Sequence, residues 1–148
     1  MFRIAGLALA VFISIATLSC QEYSAGLQKS VQRADETAAI SALHTVVTAQ
    51  QTYTLNGGDF GTFQQLCAGG YLDPRFDSSQ PAIQDYVLTM VITPKSEAQP
   101  NGFYSCNADP SPVRGKAGSH FYVDSTSQEL HVNPDKPATA KDPLVQSK

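Results

Sequence analysis

A single amphipathic stripe is the strongest structural constraint in this sequence. Between Ala34 and Thr54, large apolar side chains recur every three or four residues, so they fall on one face of a helix. The stripe consists of Ala39, Ile40, Leu43, Val46, Val47 and Tyr53, with Gln50 as a polar member. Threonines and Ser41 occupy the opposite face, and Asn56-Gly57-Gly58 supplies a stop. The pattern predicts a helix that buries one face.

The second half of the chain changes to strand-like composition. Its apolar runs are rich in β-branched and aromatic residues and are bounded by Pro, Asn and Gly. Four strands are predicted, at residues 86–93, 102–108, 120–124 and 129–132, with the last two joined as a hairpin. No second helix of similar length is predicted that could cover the stripe. We therefore expect an α+β fold in which one N-terminal helix packs on an antiparallel sheet of about four strands.

The N-terminus has the plan of an export signal. Arg3 precedes fifteen uncharged residues, Ile4–Leu18, and the small residue Ser19 follows them. A transmembrane helix is the alternative, but fifteen residues span about 22 Å, less than the ~30 Å of a bilayer core. We expect four segments: a signal peptide (1–19), a tether (20–33) that can also be read as a frayed helix start, one globular domain (34–132) and an extended, poorly packed, proline-containing tail (133–148).

A cysteine stands directly after the apolar run, in Thr17-Leu18-Ser19-Cys20. This arrangement resembles the lipobox of bacterial lipoproteins, in which the cysteine is acylated and becomes the new N-terminus. The resemblance implies that Cys20 carries a lipid, which anchors the protein in the cell envelope facing the periplasm or the cell exterior. The alternative is cleavage nearby by an ordinary signal peptidase, with Cys20 incidental.

Two further cysteines lie in the globular domain, and export places them where disulfides form. A bond between Cys67 and Cys106 closes a loop of about forty residues, which stabilises the fold by roughly 4 kcal/mol in the chain-entropy model. Two buried thiols or a metal pair are the alternatives, although no other ligand lies at zinc-finger spacing from either cysteine. We expect the disulfide.

Charge and motifs argue against several function classes. Without Arg3 the chain has nine basic and thirteen acidic side chains, a net charge of −4 with no basic cluster, so we expect no nucleic-acid partner. The sequence has no glycine-rich phosphate loop, paired zinc motif or nucleophile elbow, and we expect neither cofactor nor metal. One enzymatic hypothesis remains, because alternation places His120 and Asp124 on one strand face, where His131 can join them.

The order of the elements, together with particular residues, resembles a known family. The helix end Thr48-Ala49-Gln50-Gln51-Thr52-Tyr53, the segment Gly102-Phe103-Tyr104 and the run from Gly118 to Asp124 are similar to the heads of type IV pilin-like proteins and pseudopilins. The resemblance covers residues 34–132. The chain lacks the family's glycine–phenylalanine cleavage site and the glutamate on its apolar helix. The resemblance therefore implies a head domain without the helix that packs the core of a filament.

These observations lead to one principal functional hypothesis and two alternatives. We expect a non-enzymatic, lipid-anchored envelope protein whose pilin-like head contacts other proteins, as an accessory to a type IV pilus or type II secretion system. The first alternative is a periplasmic ligand-binding module that uses an aromatic face built from Phe103, Tyr104, Phe121 and Tyr122. The second alternative is an enzyme that uses His120 and Asp124.

Overall fold

A computed structural model describes the backbone of residues 5–97, 100–114 and 118–146, and the side chains of these residues from Ser24 onward. The chain divides into two compact units, one up to Ala34 and the other, the head, from Asp35 to Lys148. Two α-helices precede five strands. Their bounds are α1 Ala5–Leu55, α2 Phe63–Ala68, β1 Ala82–Ile83, β2 Tyr86–Thr93, β3 Phe103–Pro110, β4 His120–Asp124 and β5 His131–Asn133.

The strands form one antiparallel sheet in the order β1-β2-β3-β4-β5. This arrangement confirms the predicted α+β class, and the bounds predicted for β2 and β4 are those observed. The sequence prediction missed β1, which contains only two residues and pairs with the first two residues of β2. A strand that short has no periodicity to detect.

The core of the head combines the predicted stripe of α1 with one face of the sheet. Along α1, the side chains of Ala39, Leu43 and Val46 are fully buried, as the helical spacing predicts. They belong to the same buried cluster as Leu88 of β2 and Val123 of β4. Burial alternates along β3 and β4, so that every second side chain faces this cluster and the others face outward.

Gln50 is the polar member of the stripe, and it fixes the loop that follows α1. Its side chain is fully buried. The amide nitrogen Nε2 donates a 2.7 Å hydrogen bond to the carbonyl oxygen of Gly61, and the amide oxygen Oε1 accepts a 2.9 Å bond from the Gly61 N–H. The Gln50 amide therefore satisfies both the N–H and the C=O of the buried residue Gly61. It takes the place of the backbone hydrogen bonds that a helix or a sheet would provide.

Helix α1 begins well before the predicted helix. The predicted tether, residues 20–33, is helical in the structure. This segment contains no proline and is rich in Gln, Ala, Leu, Lys and Arg, which have high helix propensity, so nothing in it ends the helix. The hydroxyl of Ser30 adds a 3.0 Å bond to the carbonyl oxygen of Gly26, one turn earlier. Of the two interpretations of this segment, the structure agrees with the start of a helix.

Within the predicted tail, the described residues 133–146 have mostly exposed side chains, but several hydrogen bonds hold the segment against the sheet. Ala138 is only 2% exposed, and its carbonyl oxygen accepts a 2.9 Å bond from Nδ2 of Asn107 on the outward face of β3. The N–H of Val132 donates to the carbonyl oxygen of Pro143 at 2.8 Å, so the returning chain runs beside β5. The prolines keep this segment extended, and partners distant in sequence hold it in place.

Candidate functional site

His120 makes a close side-chain contact that the sequence did not predict. Its side chain lies on the outward face of β4, while its neighbour Phe121 is buried in the core. The ring nitrogen Nδ1 lies 2.5 Å from Oδ1 of Asp109, which is on the adjacent strand β3. The pair depends on the register between β3 and β4, which no local sequence pattern specifies.

Asp124 is not available to His120. The two residues are four positions apart on one strand, which separates their Cα atoms by roughly 13 Å. The Asp124 side chain is 5% exposed, and Oδ1 accepts hydrogen bonds from the N–H groups of Thr126 at 2.8 Å and Ser127 at 3.2 Å. The hydroxyl of Tyr122 donates to Oδ2 at 3.0 Å. This carboxylate therefore organises the turn between β4 and β5.

His131 also has a separate partner. It pairs with Tyr122 across β4 and β5, and its Nδ1 lies 2.6 Å from the carbonyl oxygen of Asp142 in the C-terminal segment. Because a carbonyl oxygen only accepts, Nδ1 carries the proton. Within the described ranges, no three His, Cys, Asp or Glu side chains are grouped as a metal ion requires. The hypothesised cluster of His120, His131 and Asp124 is therefore not formed.

The predicted disulfide between Cys67 and Cys106 is absent, because both residues are free thiols. Cys106 is fully buried on the core face of β3, whereas the Cys67 thiol donates a 3.3 Å hydrogen bond to the carbonyl oxygen of Asp73. Burial is the main cause that raises the pKa of both thiols. Each thiol thus has its own environment, and neither is activated as a nucleophile.

The segment that bears the predicted lipid lies in the first unit of the chain. Cys20 falls within α1, but its side chain lies outside the described residues. Further along the helix, the apolar side chains of Leu27 and Val31 are 51% and 58% exposed and are one turn apart. In the part of the chain that the structure describes, no helix has the length and hydrophobicity needed to cross a bilayer.

A cavity of about 250 Å³ at the C-terminal end of α1 is a candidate binding site. Four segments distant in sequence contribute to its wall: Gln51 on α1, Phe60 in the following loop, Lys95 and Asn101 in the loop between β2 and β3, and Gln128 in the turn between β4 and β5. The amide of Gln51 donates a 2.5 Å bond to Oε1 of Gln128. The sequence could not indicate this site, because the fold alone brings the segments together.

Tyr104 lines this cavity and has an unusual hydroxyl. The side chain is 1% exposed, and its ring contacts the ring of Phe60 edge-on with centroids 4.9 Å apart. Its hydroxyl is buried and has no hydrogen-bond partner among the described residues. Buried hydroxyls almost always have a hydrogen-bond partner, so a buried hydroxyl without one is unusual. Burial raises the pKa of Tyr104, so the hydroxyl keeps its proton and can donate it.

Asp59 fixes the loop that carries one wall of the cavity. Its Oδ2 accepts a 2.8 Å bond from the N–H of Lys95, and its Oδ1 accepts a 2.9 Å bond from the N–H of Phe60. Gly102 approaches the same carboxylate with φ of +63°, and a Cβ there would lie 2.7 Å from Oδ1. A side chain at Gly102 would both strain the backbone and displace Asp59.

Comparison with known proteins gives no relative from which a function could be transferred. No protein-family model, no curated protein and no solved structure matches this chain.

Proposed function

We propose that this protein is a non-enzymatic, lipid-anchored protein of the cell envelope, with a pilin-like head that acts through contacts with other proteins. On this proposal Cys20 carries the lipid, the head faces the periplasm or the cell exterior, and the partners are components of a type IV pilus or type II secretion system. The proposal involves no nucleic acid and no cofactor.

The architecture of the head supports the pilin-like assignment. A long N-terminal helix supplies its C-terminal turns to the core, and an antiparallel meander of strands completes the domain. This is the layout implied by the resemblance over residues 34–132. Because His120 contacts Asp109 and Asp124 holds a turn, these contacts give no support to an enzyme that uses His120 and Asp124 together.

The observation that carries the proposal is the exposed apolar pair on α1. Leu27 and Val31 are four residues apart, so they lie on one side of the helix, and both are more than half exposed. They lie just after Cys20, the residue proposed to carry the lipid. Apolar side chains presented together at a helix surface suit packing against an apolar stripe of another helix.

The anchor is tested by the intact mass of the protein from the membrane fraction. We expect a chain that starts at Cys20 with added acyl mass, and we expect Cys20→Ala to be released to the soluble fraction without it. Cys67→Ala is the matched control and should keep the acyl mass and the membrane location. An unacylated wild-type chain, or a chain that retains Met1, would contradict the lipid anchor.

Contacts with partners are tested separately by crosslinking in intact cells. We expect the wild-type protein to crosslink to pilus or secretion components, and we expect Leu27→Glu with Val31→Glu to abolish those products by placing charge in the contact. Ala25→Glu, at an exposed position on the opposite side of the same helix, is the matched control. Crosslinking that survives the double substitution would exclude this helix surface as the contact.

A further inference from the structure

We propose that the cavity at the end of α1 binds a small, neutral, polyhydroxylated molecule of the size of a single sugar ring. The inference stands on the cavity and on the unpartnered hydroxyl of Tyr104. It goes beyond the proposed role in protein contacts, and it depends on neither the lipid nor the partner.

The hydroxyl of Tyr104 is the first reason to place a ligand there. A hydroxyl buried without a partner costs free energy, and that cost is removed when an incoming group accepts its hydrogen bond. Tyr104 itself lines the cavity, and its backbone is held in place because its carbonyl oxygen accepts a 2.9 Å bond from the N–H of Ser125. The ring is therefore fixed before any ligand arrives, which reduces the entropy lost on binding.

The other polar groups of the wall match hydroxyl groups. Gln51, Asn101 and Gln128 each carry a primary amide, which offers both donors and an acceptor. Adjacent hydroxyls of a sugar also donate and accept, so one amide can bind two of them. The rings of Phe60 and Tyr104 supply the apolar surface that suits the C–H face of such a molecule.

Charge favours a neutral ligand over an anion. Among the described residues that line the cavity, Lys95 alone is charged. Asp59 lies next to it and accepts the bond from the Lys95 N–H. Backbone hydrogen bonds from Lys95 and Phe60 lower the pKa of Asp59, and the Lys95 ammonium adds to that effect, so the carboxylate is ionised near the ammonium. The two charges offset each other, and little net field remains to attract an anion.

The backbone conformation of Gln128 also supports a binding site at this position. Gln128 has φ of +59°, in the left-handed region that side chains other than glycine, asparagine and aspartate rarely occupy. Its N–H donates a 3.0 Å bond to the carbonyl oxygen of Asp124, which holds the turn. Glycine would meet the backbone requirement with less strain, yet here the position carries an amide that lines the cavity.

Size sets the upper limit of the ligand. The cavity volume of about 250 Å³ falls below the range of about 300–1,000 Å³ typical of sites for drug-sized ligands. One sugar ring is therefore the appropriate size, and a longer glycan would have to extend into solvent.

The test is an NMR titration of the purified protein with D-glucose, D-galactose and N-acetyl-D-glucosamine, with acetate and methylammonium as charged comparisons. The side-chain amide signals of Gln51, Asn101 and Gln128 report binding directly. We expect at least one sugar to shift these signals in a saturable manner and the charged probes not to do so. We expect Tyr104→Phe to weaken the affinity for that sugar about fivefold or more, as loss of one hydrogen bond does.

Two variants keep the result interpretable. Gln128→Gly should weaken sugar binding without loss of the fold, because glycine accepts the positive φ. Tyr86→Phe also removes one tyrosine hydroxyl, but that hydroxyl donates to the carbonyl oxygen of Ser119 and does not line the cavity, so affinity should not change. Saturable binding of acetate alone, no binding of any sugar, or sugar binding that Tyr104→Phe leaves unchanged would each overturn the proposal.

Discussion

Replacement of Gln50 by methionine should destabilise the head strongly, although methionine is apolar and similar in size. The substitution keeps the volume of a fully buried side chain but removes both hydrogen bonds to Gly61. Gly61 is itself buried, so its N–H and C=O would be left without partners. Each of these two unsatisfied buried groups costs about 1–3 kcal/mol, which gives a total loss of about 2–6 kcal/mol.

This loss is a large fraction of the ~5–15 kcal/mol by which domains are usually stable. The chain contains no tryptophan, so unfolding is best followed by far-UV circular dichroism in urea. With an m-value of about 2 kcal/mol per molar urea, the midpoint should fall by about 1–3 M while m stays unchanged. Gln51→Met is the matched control, because Gln51 is exposed and its replacement should change stability by about 0.5 kcal/mol at most.

A small effect at Gln50 would refute the reasoning. If Gln50→Met costs less than about 1 kcal/mol at an unchanged m-value, Gly61 must find other partners or reach water, and the amide would not be what fixes this loop.

Three further predictions concern single groups. Without ligand, Tyr104→Phe should raise the unfolding free energy by about 1 kcal/mol, because it removes an unsatisfied hydroxyl. This corresponds to a rise in Tm of about 2–4 °C, and a lower Tm would show that the hydroxyl has a partner. A hydrogen bond from Asn133 is the largest of the causes that lower the pKa of Asp142 below 3.8, so the stabilisation from Asp142 is complete above that pH and is lost as pH falls through the lowered pKa. Asp142→Asn should therefore flatten the acid limb of a stability–pH curve, and an unchanged limb would contradict this. Thiol labelling followed by peptide mass mapping should modify Cys67 slowly in the folded protein and Cys106 only after unfolding, because Cys106 is fully buried; rapid labelling of Cys106 would contradict the buried assignment.

The elements with a strong local pattern were predictable from the sequence. The stripe that contains Leu43 and Val46 recurs at helical spacing, and β2 and β4 are runs of β-branched and aromatic residues that end at clear breakers. In these elements the local preference and the tertiary structure agree, so periodicity alone locates them.

The contacts between distant segments were not predictable in the same way. The pair of His120 and Asp109 depends on strand register, and the burial of Ala138 depends on an amide thirty-one residues away. The cavity around Tyr104 needs four segments that are distant in sequence. Composition describes a proline-containing tail correctly as extended, but it does not reveal whether a surface is available for that tail to pack on.

The return of the chain beside β5 also sets an order on folding. The carbonyl oxygen of Pro143 binds the N–H of Val132, and the N–H of Val145 binds the carbonyl oxygen of Leu130. These bonds cannot form until residues near the C-terminal end of the head have been synthesised. A nascent chain that stops before Pro143 would therefore leave β5 as an open edge, prone to pair with other chains. Protection of the β5 edge is in this way coupled to the synthesis of Pro143 and Val145.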